Sequence, residues 1–337
     1  MKSKISIFWF RRDLRIEDNV GLFHALQSKH PVLPIFIFDT DILNKLEDKH
    51  DRRVDYIHQA ITAIDKQLRA HNSALKTYYG KPFDIFKTLQ DEYDIEALFC
   101  NRDYEPEAIE RDREIFEFFK AKNITFKAYK DQVIFDKNDI LKKDETPYVV
   151  YTPYAKMWRE KLTLNDYKTY NPNLSNLLQE DSSSIHSLED IGFEKTAVLY
   201  STPELDAQII GEYDKQRDYP AVQGTSMLGT ALRFGTISVR KCVAFALEHN
   251  QTWLGELIWR EFFMQILYHF PHVVNKPFKP KYEFIEWRID EEGFQRWCEG
   301  KTGYPIVDAG MRELNQTGYM HNRVRMIQLV FCANIYL

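Results

Sequence analysis

Residues 5–129 alternate between short apolar runs and amphipathic stretches, and this alternation restricts the fold more than any other feature of the chain. Ile5–Phe10 and Val32–Phe38 read as buried strands, with Pro34 nearer the start of its run than the centre. Leu75–Tyr79, Glu96–Cys100 and Thr125–Tyr129 supply three more. Across Asp51–Ala70, Val54, Ile57, Ile61, Ile64 and Leu68 recur at three- and four-residue spacing, the apolar face of a helix. Pro106 suits the first turn of a helix running to about Lys120. Strand and helix in strict alternation predict a mostly parallel sheet with helices on both faces, a Rossmann-like α/β domain over residues 1–130.

Ligands of such sheets bind beyond the carboxyl ends of the strands. The first of these ends carries Arg11–Arg12–Asp13–Leu14–Arg15–Ile16–Glu17–Asp18–Asn19, which is not a GxGxxG dinucleotide fingerprint. Three arginines among three acids read equally as a salt-bridged loop or as an anion or interdomain contact.

From about residue 131 to 202 the chain is rich in Asp, Asn, Ser, Lys and Pro, with weak periodicity. It reads as a long connector holding short helices, one of them over Tyr154–Leu162. Tyr148–Val149–Val150–Tyr151–Thr152–Pro153–Tyr154 is its aromatic exception. From residue 203 onward the pattern is helical. Gly224–Thr225–Ser226–Met227–Leu228–Gly229 precedes an amphipathic run, and Thr225 and Ser226 suit either a helix cap or, with free backbone N–H groups, a phosphate cradle. Ser238 reads as the cap of the next helix. Within Trp253–Phe263, Trp253, Glu256 and Arg260 share one helical face, which reads as either a packed salt-bridged face or a wall of a polar-aromatic pocket, with Glu256 and Arg260 at the spacing of an i,i+4 ion pair. His321–Asn322–Arg323–Val324–Arg325–Met326 gathers an amide, two guanidiniums and a thioether, suited in turn to a base or flavin edge, to phosphates and to an apolar face.

A net charge of -5 excludes bulk positive coating of nucleic acid, though a local basic face remains compatible with it. Aromatic residues make up 14% of the chain, enough for large cores or for a stacking surface. Cys100, Cys242, Cys298 and Cys332 form no CxxC pair, so neither a disulfide scaffold nor a zinc site is indicated. Without a signal-peptide pattern or a long apolar span, a cytoplasmic monomer with no membrane partner is expected.

In their order along the chain these motifs resemble the DNA photolyase/cryptochrome family, and within it the class I cyclobutane pyrimidine dimer photolyases. The resemblance runs from Trp9–Phe10–Arg11–Arg12–Asp13–Leu14–Arg15 through Thr152–Pro153–Tyr154, Arg217–Asp218–Tyr219–Pro220 and Arg233–Phe234–Gly235. It is strongest over Trp253–Phe263 and Glu299–Met326. It implies an N-terminal antenna domain, a connector and, over residues 203–337, a helical domain binding FAD. Tyr213 would border the flavin nucleotide, and Thr225, Ser226, Met227 and Leu228 would hold its phosphates. Gly229 stands where the family commonly has Ser. Trp253, Arg260 and Arg325 would lie at the flavin. Glu256 and Asn322 would hydrogen-bond the pyrimidine dimer, Trp259 and Met326 would pack against it, and Arg323 would meet DNA phosphate. Trp287 matches the surface end of a tryptophan electron chain.

The implied activity is light-driven repair of damaged DNA containing pyrimidine dimers, by electron transfer from reduced FAD. A second, antenna chromophore of folate or flavin type is compatible with the chain, although Tyr104–Glu105–Pro106 departs from the Asn-Glu pair of folate-binding members. Two other readings share parts of the pattern. One is a cryptochrome-type photoreceptor; the other is an adenine-nucleotide-binding α/β protein, which the helical half argues against. Val330–Leu337 ends in mid-pattern, so the chain reads as a truncated photolyase, expected to retain FAD weakly and to be poorly soluble or inactive.

Overall fold

The computed structural model describes residues 2–179, 184–286 and 290–335. It divides into two compact units, Met1–Leu205 with Met227–Pro271, and Asp206–Ser226 with His272–Leu337.

The first unit is built on five parallel strands: β1 (Lys4–Phe10), β2 (Val32–Asp39), β3 (Lys76–Gly80), β4 (Asp94–Asn101) and β5 (Thr125–Tyr129), in the order β3-β2-β1-β4-β5. The crossovers are helices α1 (Val20–Leu26), α2 (Thr40–Leu43), α3 (Arg52–Arg69), α4 (Pro82–Glu92) and α5 (Pro106–Lys120). Two-residue periodicity places Phe8 and Phe10 of β1 in one core layer, with Leu22, Ile61, Ile64 and Leu68, while Ile5, Ile7 and Trp9 enter the opposite layer with Phe86, Ile115 and Phe119. Pro34 is tolerated in β2 because β3 begins to pair only at Ile35, so Pro34 has a neighbour on the β1 side alone. Asp51 caps α3 by accepting from Arg53 N–H, which fixes the start of the expected helix.

The connector does not run free. Leu177, Leu188, Ile191 and Phe193 are buried in the same layer as α3. Helix α6 (Tyr151–Lys161) starts three residues earlier than the sequence suggests and packs against the later helix α11. The unit closes with α9 (Gly229–Phe234), α10 (Val239–His249) and α11 (Gln251–His269), after α7 (Ala207–Gly211) and α8 (Tyr213–Gln216) of the second unit have intervened in sequence. Ser238 is the cap of α10, accepting from the N–H groups of Arg240 and Lys241.

The arginine-rich loop after β1 is ion-paired throughout. Arg11 pairs with Asp112, Arg12 with Asp103 and Glu105, and Arg15 with Asp131 at 2.8 Å. Gly235 turns the chain out of α9 at φ 67°, with its Cα hydrogens against this loop. A Cβ there would lie 2.3 Å from the Arg12 carbonyl oxygen and 2.6 Å from Asp13 Cα.

The second unit also contains α12 (Glu291–Cys298), α13 (Pro305–Thr317) and α14 (Asn322–Ile335). Helices α13 and α14 pack so closely that a Cβ on Gly310 would meet Val324 Cγ1 at 2.4 Å. Gln328 of α14 is buried there and accepts from Trp297 Nε1 at 2.8 Å. Residues 336 and 337 of the apolar terminal run lie outside the described residues. Among those described, no helix is long and apolar enough to cross a membrane.

Replacing Gly235 by Ala imposes both a left-handed backbone cost and a backbone collision, so the variant should lose about 2–3 kcal/mol of stability. Thermal denaturation of the two proteins checks this, and equal melting temperatures would refute the close-approach argument.

Candidate functional site

Helix α11 carries four candidate residues of the first unit, Trp253, Glu256, Trp259 and Arg260. Asn250 starts it by accepting from the N–H groups of Thr252 and Trp253. Its apolar stripe, Trp253, Leu254, Leu257, Ile258 and Phe262, is buried, and one acid, Glu261, lies on that stripe. Both Glu261 carboxylate oxygens are used. Oε1 accepts from Trp158 Nε1 at 2.7 Å, Phe135 N at 3.1 Å and Tyr154 OH at 3.2 Å, and Oε2 accepts from Ile134 N at 2.6 Å. Burial pushes this carboxyl up to about 7 although all four hydrogen bonds pull it down. Glu261 thus pins the connector to α11, and it was not among the expected site residues. The signal was an acid at a position of the apolar stripe, where a charge is buried and must find donors.

Arg260 does not form the i,i+4 ion pair with Glu256 that their spacing allows. Its guanidinium instead donates to the carbonyls of Gln132 at 2.7 Å and Leu232 at 3.1 Å. Burial, and then the nearby cationic Arg12, lower its pKa to about 10. Trp253 is buried and Glu256 half-buried. Trp259 remains 36% exposed, with Tyr151 stacked on it at 3.5 Å. Of the residues expected around the nucleotide phosphates, this unit holds Met227, exposed at φ 53°, Leu228, buried, and Gly229, the first residue of α9. Leu228 is the N-cap of α9 and makes no side-chain cap hydrogen bond.

In the second unit, Thr225 Oγ1 lies 3.1 Å from Tyr319 OH, and Gly224 abuts Gln216, whose Cβ would be 2.5 Å from an added methyl. Tyr213 is half-buried with the Arg217 guanidinium 5.8 Å above its ring. The Gly300–Asp308 loop is fixed by Asp308, which accepts from Thr302 N and Oγ1, both at 2.7 Å, and from Gly303 N at 3.0 Å. This orders the start of α13, against which α14 packs. His321 caps α14 through Nδ1, accepting from Arg323 N at 3.2 Å. Asn322, Arg325 and Met326 are exposed on α14. Asn322 and Met326, four residues apart, share one helical face. Arg323 is clamped by Asp218, with Nε and Nη2 at 2.8 and 2.6 Å from Oδ1. Hydroxyls, amide and guanidinium make a donor set that suits a flavin nucleotide and phosphates. Trp287 lies outside the described residues.

A parallel-sheet domain followed by a largely helical region defines a protein of the two-domain α/β-plus-helical kind. Residues 6–173 match the family DNA photolyase, and residues 253–337 match the FAD binding domain of DNA photolyase. The chain is 32% identical to the deoxyribodipyrimidine photo-lyase of Synechococcus sp., over 96% of its own length and 73% of the relative's. With that of Escherichia coli it shares 30% identity, over 96% and 74%. The chain belongs to the DNA photolyase family.

Solved structures refine the subgroup. The chain superposes on a bacterial class III photolyase from Agrobacterium tumefaciens with TM-score 0.83 and 27% identity, over 98% of this chain and 73% of that one. An archaeal photolyase from Sulfolobus tokodaii, described with two FAD molecules, gives 0.81 and 30%, over 97% and 74%. A Synechocystis cryptochrome at 20% identity and TM-score 0.78, over 100% and 76%, shares the fold. The class I expectation is therefore corrected, since a class III enzyme matches along nearly the whole chain. That expectation rested on six residues, His321–Met326, at the start of α14.

The Glu261 geometry predicts a pH signature. The folded carboxyl titrates near 7 and the unfolded one near its ordinary value of 4.5, so the folded state binds the proton more tightly. Its stabilising contribution is complete below about pH 4.5, declines as pH rises, and is gone above about pH 7. Denaturant midpoints measured from pH 4.5 to 7.5 should fall for the wild type more steeply than for Glu261→Gln. Parallel slopes would remove Glu261 as the titrating group.

Proposed function

We propose that this chain repairs cyclobutane pyrimidine dimers in DNA by light-driven electron transfer from reduced FAD, with residues 1–130 as antenna domain, 131–202 as connector and 203–337 as the FAD-binding part. The observation that carries this reading is the face of α14, where Asn322 and Met326 stand exposed one turn apart beside the anchored Arg323. An exposed amide next to an exposed thioether is wasted on a structural helix and suits a pyrimidine edge beside an apolar ring face.

The chemistry that reduced FAD supplies when bound is one-electron donation to the cyclobutane ring on excitation. Tyr213, Thr225, Ser226, Met227, Leu228, Gly229, Trp253, Arg260 and Arg325 are the residues proposed to hold it. Asn322 donates to and accepts from the pyrimidine edge and fixes its orientation. Trp259 and Met326 exclude water from the ring faces, and the damaged pair reaches them by leaving the helical stack, which damage makes cheaper. Glu256 is proposed to stabilise developing negative charge on the pyrimidine, a role that requires it to donate a hydrogen bond. Arg323 meets backbone phosphate, competing with its Asp218 partner. Trp287 is proposed as the outer station of an electron chain. A second chromophore of folate or flavin type is proposed for the antenna domain, and the two FAD molecules of the Sulfolobus relative favour the flavin type. DNA is the partner, and the protein is proposed to act as a cytoplasmic monomer.

Absorbance of the purified protein and illumination with a dimer-containing oligonucleotide test the reading. Bound FAD with dimer loss would support the repair reading and overturn the expectation of weak FAD retention; FAD without dimer loss would favour a photoreceptor and sink the repair function. Glu256→Ala should lower the repair quantum yield at unchanged FAD content, and an unchanged yield would remove Glu256 from the chemistry. Arg323→Ala should weaken binding to damaged and undamaged DNA alike and flatten the dependence of log K on log salt by about one unit.

A further inference from the structure

The aromatic connector segment has no part in the chemistry above, yet one of its side chains is built against α11. Tyr151, the first residue of α6, lies flat on Trp259, with ring centroids 3.5 Å apart and planes inclined by 6°. Its hydroxyl donates to the Gly255 carbonyl at 2.9 Å, one helical turn before Trp259. Phe262 meets both rings edge-on, at 5.9 Å from Tyr151 and 5.8 Å from Trp259. Phe263 continues the row, offset from Trp259 by 5.6 Å, and is 60% exposed.

Helix α6, which supplies Tyr151, is itself immobilised. Arg159 donates to Gln251 Oε1 at 2.9 Å and to its carbonyl at 3.3 Å, and Tyr154 and Trp158 donate to Glu261. Tyr151 is thus held by the backbone of α6 at one end and by Gly255 at the other. Burial raises the pKa of its phenol, so the hydroxyl stays a donor. One face of the Trp259 indole is covered by a fixed ring, while part of the indole still reaches solvent.

An unsupported tryptophan on a helix surface samples several rotamers, and binding must pay for ordering it. A flat ring pressed on one face removes that freedom beforehand. We infer that Tyr151 is a positioning residue for Trp259: it holds the indole in the one orientation that packs against the displaced pyrimidine pair. This rests on the reading of Trp259 as a lesion-contacting residue. Tyr151 acts through Trp259: one face of its ring lies on the indole and its hydroxyl donates to Gly255.

The test compares Tyr151→Ala, Tyr151→Leu and Tyr151→Phe in the full chain. Affinity is measured for an oligonucleotide carrying one thymine dimer and for its undamaged counterpart, alongside thermal melting. Tyr151→Ala should reduce the damaged-to-undamaged affinity ratio by roughly three- to tenfold, the size expected of one aromatic pair. Tyr151→Leu keeps the bulk without the flat ring and should show most of the same loss. It also answers the question where the alanine variant fails to fold. Tyr151→Phe keeps the stack, loses only the tether, and should change the ratio by less than about twofold. In a Trp259→Ala background the effect of Tyr151→Ala on the ratio should disappear. A lower melting temperature with an unchanged ratio would overturn the inference, as would an equal loss for both DNAs or an effect that persists without Trp259. If the unmodified protein does not discriminate, the repair reading falls and takes this inference with it, an outcome visible before any variant is made.

Discussion

Two arginines and two aspartates, buried together, hold the first unit to a single arrangement. Arg15 and Arg240 both bond Asp131, at 2.8 and 2.9 Å, and Arg240 also bonds Asp18 at 3.1 Å. Ser238, the cap of α10, donates to the same Asp18 carboxylate. Against burial, which raises it, Arg15 and Arg240 hold the Asp131 carboxyl below its usual range. Such a cluster costs a large desolvation free energy, and removing one member leaves an uncompensated buried charge. Its contribution is therefore registration. The loop after β1, the start of the connector and the start of α10 can satisfy these charges in one relative placement, and α10 leads directly into α11.

Much of this was legible in the residues. The five strands and the long α3 followed from periodicity, because each buries one face or both in a continuous sheet core, and α5 followed from Pro106 at its first turn. The cap at Ser238 followed from its hydroxyl before an amphipathic run. What periodicity could not show is which partner a charged residue takes. Glu256 and Arg260 have ion-pair spacing, yet Arg260 turns inward to two carbonyls, since the surrounding backbone offers acceptors that one-dimensional spacing does not contain. Asp131 and Glu261 were missed for the same reason: their partners lie more than a hundred residues away. The subgroup was misread because six local residues were asked to report on the whole chain.

Helix α11 joins these themes. Its buried side, through Glu261, Arg260 and Gln265, bonds the connector backbone at residues 132–135. Its open side presents Trp259 and Phe263. The connector, variable in character and weak in pattern, thereby sets the orientation of the helix on which the proposed chemistry depends. A substitution deep in residues 131–161 reaches the candidate site through α11 without touching any ligand.

The first unit is interrupted in sequence, and this bears on how the polypeptide acquires its shape during synthesis. All five strands have left the ribosome once residue 129 has emerged, but the Asp18 carboxylate waits for Arg240, 222 residues later. Until then the nascent sheet carries an unneutralised acid at its carboxyl edge and lacks the contacts of α10 and α11. Residues 206–226, which belong to the other unit, must be extruded and set aside in the meantime. Completion of the first unit is thus coupled to elongation through residue 271, and translation speed across residues 206–271 governs how long the half-built sheet is exposed to chaperones and proteases.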